Sequence, residues 1–425
     1  MSNRYIRGLI TNYPTQPTSS EAIGVWTLTQ QSQAKGNDNW PLLLSPGTQK
    51  AIFGYGSPTT SITNKVSNTG VVATDTAGVG TARSGLAAAG YGGDKAIFGY
   101  GDGGTNTSVT NLVSNTGVVA SDTAGVGTAR GYLAAAGYGT DKAIFGYGYT
   151  STYASMTNLV SNTGVVATDT AGVGTARYAL AASGYGTDKA IFGYGFASGP
   201  VSMTNLVSNT GVVANDTAGV GTARYLLAAA GYGTDKAIFG YGLNTSGVGQ
   251  SVTNLVSNTG VVGNDTTGVG TARGYLAAAG YGTDKAIFGY GFASGPVSMT
   301  NKVSNTGVVA SDTTGVGTAR YVLTAVGYGT DKAIFGYGYT GSYVSMTNLV
   351  SNTGVVSSDT TGVGTGRGYT AAAGYGTDKA IFGYGYTGTE VSITNLVSNT
   401  GVVSNDVVGV GTARYGLAAA GYSLT

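Results

Sequence analysis

Residues 332–378 read KAIFGYGYTGSYVSMTNLVSNTGVVSSDTTGVGTGRGYTAAAGYGTD, and close copies of this stretch fill most of the chain. Short apolar runs (KAIFGYG, TNLVS, GVVSS and GYTAAAGYG) alternate with turn residues such as Asn-Thr-Gly. Runs of this length that end in glycine are typical of β-strands, and no helix-length apolar periodicity interrupts them. The repeat therefore predicts a unit of four short strands.

The repeat recurs along the chain with a nearly constant period. The string KAIFGYG occurs eight times at intervals of 45 to 49 residues, and GVGTAR or GVGTGR also occurs eight times. Repeats of about 40 to 50 residues are typical of the four-stranded blades of a β-propeller. We therefore predict an all-β, eight-bladed β-propeller with four-stranded blades over residues 50–425. The KAIFGYG strings begin at Lys50, Lys95, Lys142, Lys189, Lys236, Lys285, Lys332 and Lys379.

The alanine-rich run, LAAAGYG in most copies, indicates how the array is closed. We expect it to be the innermost strand, because strands converge near a propeller axis and only small side chains fit there. The first copy lacks this run before Lys50, and the last run, Leu417–Tyr422, lacks a following KAIFGYG. Since an open array leaves unpaired edges, we predict a ring closed by the C-terminal strand. Its first blade combines residues from 50 to about 80 with residues from about 414 to 425.

The composition argues against catalysis and against a metal or cofactor. The chain has no cysteine and no histidine, which removes the usual ligands of zinc, copper and haem iron, thiol nucleophiles and imidazole bases. Only 9% of the residues are charged and the net charge is +2, so we expect no nucleic-acid partner. No apolar run approaches the length of about 18 residues that a membrane span needs. We expect no enzymatic activity, no cofactor and no membrane span.

The distribution of charges supports the same conclusion. One arginine, one aspartate and one lysine recur in every copy, and eightfold repetition produces equivalent environments instead of the unlike environments of a catalytic centre. We expect the arginines and aspartates to fix turns and contacts between blades, and the Asp-Lys pairs at the start of seven of the eight KAIFGYG strings to be solvated turn residues. Asp102 and Glu390 lie outside the pattern, but their positions in blades two and eight are too far apart for the carboxylate pair of a glycosidase.

The order of elements within the repeat resembles the kelch motif. An arginine is followed by an alanine-rich strand, an apolar strand that ends in GYG where kelch repeats have a diglycine, a variable loop and TNLVSNTG. The resemblance covers residues 50–425. It implies a kelch-like propeller.

The first 49 residues differ in composition from the repeats, because they hold both tryptophans and four of the seven prolines. Residues 12–41, NYPTQPTSSEAIGVWTLTQQSQAKGNDNWP, resemble a segment of tail and fibre proteins of tailed bacteriophages, in which GVW-x-L, a Gln-rich stretch and NWP follow one another. The resemblance implies a virion component. Residues 1–49 would then form an extended arm that anchors the chain to other virion proteins through Trp26, Leu28 and Trp40.

Variation between the copies indicates a binding surface. The segment after each KAIFGYG differs from copy to copy, and so do the two residues after each arginine. Both links fall at the same end of an antiparallel blade. Variable loops on a constant scaffold commonly house recognition, and aromatic tips provide contact area at low entropic cost; neutral drift of exposed loop tips is the alternative reading. The predicted binding-face aromatics are Tyr149, Tyr153, Phe196, Phe292, Tyr339, Tyr343 and Tyr386.

These observations lead to one leading hypothesis and two alternatives. The leading hypothesis is a bacteriophage virion structural protein, a component of a tail, fibre or appendage, that displays a propeller for recognition of a glycan or protein on the host surface. The first alternative is a purely structural protein that decorates or bridges the particle. The second is a multivalent carbohydrate-binding propeller lectin, whose repeated clefts compensate for weak single-site affinity. No sequence feature predicts an oligomeric state.

Overall fold

The computed structural model describes residues 49–423, except residues 171, 218, 267, 314, 361, 408 and 410. The chain divides into two units, Met1–Pro46 and Gly47–Thr425. Apart from Gln49, the predicted N-terminal arm lies outside the described residues, and so do its anchor residues Trp26, Leu28 and Trp40. No helix among the described residues is long and apolar enough to cross a membrane.

The described part of the chain is all-β and contains 24 strands and no helix. Most strands have four or five residues, as expected from short apolar runs that end in glycine. The strands are β1 (Lys50–Gly54), β2 (Thr63–Val66), β3 (Ala87–Tyr91), β4 (Lys95–Gly99), β5 (Thr110–Val113), β6 (Ala134–Tyr138), β7 (Lys142–Gly146), β8 (Thr157–Val160), β9 (Ala181–Tyr185), β10 (Lys189–Gly193), β11 (Thr204–Val207), β12 (Ala228–Tyr232), β13 (Lys236–Gly240), β14 (Thr253–Val256), β15 (Ala277–Tyr281), β16 (Lys285–Gly289), β17 (Thr300–Val303), β18 (Thr324–Tyr328), β19 (Lys332–Gly336), β20 (Thr347–Val350), β21 (Ala371–Tyr375), β22 (Lys379–Tyr386), β23 (Glu390–Val397) and β24 (Ala418–Tyr422).

The strands form eight antiparallel sheets of three strands each. The KAIFG strand lies at the centre of every sheet, with an alanine-rich strand on one side and a TNLV or TNKV strand on the other. We number the sheets in chain order. The first sheet is β24-β1-β2, the second is β3-β4-β5, and the order continues to the eighth, β21-β22-β23.

The prediction of four strands in each sheet was wrong, because the fourth segment pairs only at isolated points. In the first sheet this segment pairs with β2 only through the isolated bridges Val66↔Val72 and Thr63↔Thr76, and Asn64 Nδ2 adds side-chain hydrogen bonds to Ala73 and Asp75. The segment forms no continuous ladder because it leaves the sheet to reach the next one, where the backbone N–H of Thr81 donates to the carboxylate of Asp122.

The two ends of the repeat array meet in the first sheet, as predicted. β24 pairs with β1 along its full length, from Lys50↔Tyr422 to Gly54↔Ala418. Neighbouring sheets contact each other through their alanine-rich strands, in the order β24, β3, β6, β9, β12, β15, β18, β21 and again β24. Small side chains permit this close approach. The eight repeated three-stranded sheets are consistent with a β-propeller-like repeat fold.

The core lies between successive sheets. Ile52 and Tyr55 of the first sheet pack with Phe98 and Val113 of the second. A Cβ atom on Gly54 would lie 2.9 Å from the Phe98 ring, so glycine is required here because the aromatic ring of the next sheet occupies the space of a side chain. Full burial of such a ring stabilises the fold by about 1.5 to 3 kcal/mol. This contact explains why phenylalanine and glycine are adjacent in every KAIFGYG string.

The tyrosine of KAIFGYG connects the core to a buried arginine. Tyr55 has a φ of 63°, a left-handed conformation that costs a residue with a side chain about 1 to 2 kcal/mol. Its ring contacts the Phe98 ring edge-on at 5.3 Å, and the Arg83 guanidinium lies 4.0 Å above the ring centroid. These aromatic and cation–π contacts offset the backbone strain.

A hydrogen-bonded cluster, which we call the Arg–Asn–Asp latch, fastens each sheet to the next. Arg83 is fully buried; its Nη2 donates to Oδ1 of Asn111 at 2.6 Å and its Nη1 to the carbonyl of Thr81 at 2.8 Å. Asn111 Nδ2 donates to Asp122 Oδ1 at 2.9 Å, and the Thr81 hydroxyl donates to Asp122 Oδ2 at 2.6 Å. Arg83 Nη1 also lies 4.0 Å from Asp122 Oδ1, so the buried guanidinium faces a carboxylate and both of its terminal nitrogens donate hydrogen bonds, which offsets the cost of burying the charge. The predicted role of the repeated arginine and aspartate in contacts between repeats is confirmed.

The latch is repeated at all eight junctions between sheets. Burial alone raises the pKa of Asp122, but hydrogen bonds from Thr81 and Asn111 outweigh that effect and hold the pKa below its ordinary value. The carboxylate therefore stays ionised opposite the arginine. The arginine–asparagine pairs are Arg83–Asn111, Arg130–Asn158, Arg177–Asn205, Arg224–Asn254, Arg273–Asn301, Arg320–Asn348, Arg367–Asn395 and Arg414–Asn64.

Candidate functional site

The variable segments of the repeats meet at one end of the sheets, as predicted. Phe196, the first residue after a KAIFGYG string, pairs in an isolated bridge with Tyr178, the first residue after an arginine. The backbone N–H of Phe196 donates to the carbonyl of Tyr178 at 2.8 Å. Tyr321 and Tyr339 form the same bridge in another repeat. We call the surface formed by the segments after KAIFGYG and the two residues after each arginine the variable face.

All seven predicted binding-face aromatics lie on the variable face, and each contacts another aromatic ring. Tyr149 lies 6.0 Å from Tyr153, measured between ring centroids, and Tyr153 lies 6.3 Å from Phe196. On the other side, Tyr339 lies 4.9 Å from Tyr343, which contacts Tyr386 at 5.8 Å. Phe292 contacts Tyr321 at 5.0 Å. The structure therefore brings the predicted residues into clusters.

The rings that join these clusters come directly after the arginines. Their positions were predicted to lie on this face, but the rings themselves were not among the predicted binding-face aromatics. Tyr178 stacks on Tyr153 with a centroid distance of 5.8 Å and an interplanar angle of 4°. Tyr225 contacts Phe196 at 5.2 Å, and Tyr415 contacts Tyr386 at the same distance. A signal was present in the sequence, since seven of the eight repeated arginines are followed within two residues by one tyrosine.

The contacts divide the rings into two groups. The first aromatic arc spans the third to fifth sheets, and the second spans the sixth to eighth sheets and the first. The first aromatic arc consists of Tyr149, Tyr153, Tyr178, Phe196 and Tyr225. The second aromatic arc consists of Tyr275, Phe292, Tyr321, Tyr339, Tyr343, Tyr369, Tyr386 and Tyr415.

The rings of both arcs are half-buried or exposed, so they are held by their neighbours while part of each surface stays accessible. Tyr149 is 38% exposed and Tyr369 is 49% exposed. Burial, reinforced by the neighbouring phenols of Tyr153 and Tyr225, raises the pKa of Tyr178 above its ordinary value. Its hydroxyl is therefore protonated at neutral pH and can donate a hydrogen bond.

The variable face carries almost no exposed charge. In the described segments after KAIFGYG, Asp102 and Glu390 are the charged residues. The Asp102 carboxylate accepts a hydrogen bond from the backbone N–H of Gly104 at 2.8 Å. The arginines beneath this face are fully buried in the latches. A ligand therefore meets aromatic rings, hydroxyls and amides, and no exposed cation of the described part of the chain.

Three exposed tyrosines of the variable face occupy strained positions. Tyr132, Tyr275 and Tyr369 have φ values of 53°, 52° and 51°, a conformation that costs about 1 to 2 kcal/mol for a residue with a side chain. Glycine takes the equivalent position at Gly85 and Gly416, with φ of 57° at both. Exposed rings recover little of this cost through packing. Backbone strain of this kind often marks a functional surface.

The opposite end of the sheets has constant turns, and we call the surface formed by the GYGTDK and SNTG turns the constant face. A cavity of about 740 Å³ opens there and is lined by residues such as Tyr138 and Thr140. An adjoining cavity of about 380 Å³ is lined by the same turn residues of later repeats. Lys95 Nζ lies 2.7 Å from the Asp94 carboxylate, and the same pairing recurs in the next repeat. The expected role of these pairs as turn residues fits their geometry, but the cavities were not predicted.

Each described SNTG turn also exposes one valine. Val71 and Val165 are both 67% exposed, and Val118 is 62% exposed. Single exposed apolar residues are common on protein surfaces. These valines are accessible positions on the constant face and lie outside both aromatic arcs.

The chain enters the sheets at the constant face. The backbone N–H of Gln49 donates to the carbonyl of Ser423 at 2.8 Å, and the Gln49 carbonyl accepts from the backbone N–H of Gly376 at 2.9 Å. Gly376 belongs to a GYGTDK turn of the constant face. Gln49, the first described residue, therefore lies on the side of the sheets opposite the aromatic arcs.

The residues considered for chemistry are not brought together. Asp102 follows β4 in the second sheet, and Glu390 begins β23 in the eighth. Within the described residues, no group of three or more acidic residues could hold a metal ion. The chain matches no protein-family model, and no curated protein sequence matches it.

Proposed function

We propose that this chain is a virion protein of a tailed bacteriophage, and that it displays a closed, eight-bladed, kelch-like propeller whose variable face recognises the host surface. The function is binding without catalysis. The observation that carries the proposal is the presence of two arcs of mutually contacting, partly exposed aromatic rings on the one face where the repeats differ.

Closure of the propeller is supported by a strand pairing and by a latch. β24 pairs with β1, and the last latch joins Arg414 to Asn64 of the first sheet. The eight sheets would then be the eight blades, and the variable face would be one side of the ring. A closed ring holds both arcs in fixed positions, which lowers the entropic cost of binding.

The first 49 residues support attachment to a particle. Residues 12–41 carry the resemblance to phage tail and fibre proteins, and Gln49, the first described residue, is hydrogen-bonded at the constant face. Localisation on the particle is tested by immunogold labelling of phage particles that contain the chain, and label at a tail or surface appendage is the expected result.

Recognition is tested by adsorption of the labelled full chain to a panel of bacterial strains. The double variant Tyr153→Ala/Tyr178→Ala is expected to lower adsorption to a susceptible strain by about tenfold or more, because it removes the stacked pair of the first arc. The variant Val165→Ala, changed on the constant face, is the matched control and should adsorb like the unchanged chain. Equal adsorption by both variants would favour a purely structural role in the particle.

A further inference from the structure

The aromatic arcs have surface properties that select one chemical class of ligand. Their rings are held by ring-to-ring contacts, such as the parallel stack of Tyr153 on Tyr178 at 5.8 Å. Rings that are immobilised before binding lose little conformational entropy when a ligand covers them. Flat, partly exposed aromatic faces favour a ligand that has flat apolar faces of its own.

Polar groups surround the same rings. The Thr150 hydroxyl donates to the carbonyl of Thr152 at 3.0 Å beside Tyr149, and Asn106 Nδ2 donates to the carbonyl of Thr150 at 2.7 Å. The phenol of Tyr178, whose pKa burial raises above its ordinary value, is protonated at neutral pH as any tyrosine is, and it can donate a hydrogen bond. The surface thus offers apolar ring faces at its centre and hydrogen-bonding groups at their margins. Sugar rings match this pattern, since they carry C–H groups on their faces and hydroxyls at their edges.

The charges of the variable face argue against an anionic ligand. Phosphate and sulfate groups are normally bound by exposed arginine or lysine. The arginines under the variable face are fully buried and paired in the latches, and the repeated lysines lie at the constant face next to aspartates. The two charges in the loops of the variable face, Asp102 and Glu390, are negative. A neutral ligand fits this face better than a phosphorylated or sulfated one.

We infer that the two aromatic arcs bind neutral carbohydrate, with sugar rings stacked on tyrosine faces. The inference rests on the proposed recognition function and names its ligand class. Two arcs on one rigid ring allow one polymer chain or two neighbouring chains to be held at once. Binding at one arc raises the effective concentration of the ligand at the other arc. The combined affinity is therefore higher than the weak affinity of either arc alone.

The test uses the full chain and immobilised polysaccharides as probes. Three neutral polymers (dextran, mannan and galactan) are compared with two anionic ones (alginate and hyaluronan) by biolayer interferometry. We expect binding to at least one neutral polymer, and that binding should be nearly unchanged between about 0.05 and 0.5 M NaCl because no exposed cation takes part.

The double variant Tyr153→Ala/Tyr178→Ala should weaken binding to the neutral polymer about tenfold or more. The double variant Tyr153→Phe/Tyr178→Phe should retain most of the binding, because phenylalanine keeps the stacking ring. Val165→Ala is the control. Binding confined to the anionic polymers, or binding to none of the five, would overturn the inference.

A second experiment separates this inference from the proposed function. Cells of an adsorbing strain are treated with periodate, which cleaves sugar diols, or with protease, before the labelled chain is added. Loss of adsorption after periodate alone supports the carbohydrate ligand. Loss after protease alone overturns the inference and leaves host recognition intact, with a protein as the receptor. Adsorption that is unaffected by Tyr153→Ala/Tyr178→Ala overturns the proposed recognition face.

Discussion

Arg414 and Asn64 are 350 residues apart in the chain, and Nη2 of Arg414 donates to Oδ1 of Asn64. The same hydrogen bond joins Arg83 to Asn111, which are only 28 residues apart. It is present at all the remaining junctions as well. The terminal junction is therefore built like the internal ones. This equivalence makes closure of the array measurable by substitution.

The latch between Arg414 and Asn64 should contribute as much to the free energy of unfolding as an internal latch. Asn64→Ala and Asn205→Ala each leave a buried arginine N–H without its acceptor, and each should lower the free energy of unfolding by about 2 to 3 kcal/mol. Asn162→Ala is the control: it removes only a solvent-exposed hydrogen bond to Asp141 in an SNTG turn, and it should change the free energy of unfolding by less than about 0.5 kcal/mol. Denaturant unfolding of the full chain measures all three. A neutral Asn64→Ala combined with a damaging Asn205→Ala would show that the ends do not meet in solution.

Removal of the last strand should be more damaging than loss of any single latch. A chain that ends at Gly416 lacks β24, which leaves one edge of β1 unpaired and uncovers the core around Ala51 and Phe53. Exposed edges of this kind also promote aggregation. Thermal unfolding followed by circular dichroism should show a clearly lowered Tm. A chain that ends at Ser423 keeps β24 and should melt like the unchanged protein; equal Tm values for the two truncations would contradict the pairing.

Stability should fall steeply at alkaline pH. Burial, opposed in part by the neighbouring arginine, raises the pKa of each KAIFGYG tyrosine from 10.0 to about 12. The unfolded chain therefore loses these protons first, so the stabilisation is complete below pH 10 and is lost as the pH rises from 10 through 12. Each tyrosine should contribute a slope of about 1.4 kcal/mol per pH unit in that window. These residues are Tyr55, Tyr100, Tyr147, Tyr194, Tyr241, Tyr290, Tyr337 and Tyr384.

The alkaline transition is followed by far-UV circular dichroism together with phenolate absorbance at 295 nm. Ionisation of the buried tyrosines should coincide with loss of β-structure. Tyr194→Phe removes one titrating group and should make the loss of stability with pH less steep. Complete phenolate formation in a chain that keeps its sheet signal would refute the link between burial and alkaline unfolding.

A strained turn on the constant face can be relieved by glycine. Thr140 has a φ of 66°, and the equivalent residue of the preceding repeat is Gly93, with a φ of 76°. A Cβ atom on Gly93 would meet nothing within 4 Å, so the two positions differ in backbone strain and not in packing. Thr140→Gly should raise the free energy of unfolding by about 0.5 to 1 kcal/mol, and Gly93→Thr should lower it by about 1 kcal/mol. Denaturation midpoints of the two variants should move in opposite directions.

The strand pattern was largely predictable because it depends on local sequence. Short apolar runs ended by glycine predicted the three strands of each sheet. The shared first sheet was predicted because no alanine-rich run precedes Lys50 and no KAIFGYG string follows Tyr422. The fourth strand was mispredicted, because Val-Val after Asn-Thr-Gly has strand-like residues but the chain must cross to the next sheet. β-strand propensity could not show that this segment forms isolated bridges at Val72 and Thr76 instead of a continuous ladder.

The candidate site was predictable in position but not in extent. Variation between repeats located the face, because antiparallel pairing places both variable links at one end. The joining rings Tyr178 and Tyr225 were overlooked, since their contacts with Tyr153 and Phe196 cross from one sheet to the next and depend on side-chain geometry. The latch partner Asn111 was overlooked for a similar reason, because it lies 28 residues beyond Arg83.

The pairing of β1 with β24 has a consequence for synthesis of the protein. β1 is synthesised before all the other strands of the described part of the chain, whereas β24 is synthesised after them. Throughout elongation the nascent chain carries β1 with one open edge, and each alanine-rich strand that emerges is a nearly identical substitute for the correct partner. The first sheet is thus the last of the eight to be completed, because it must wait until β24 has left the ribosome.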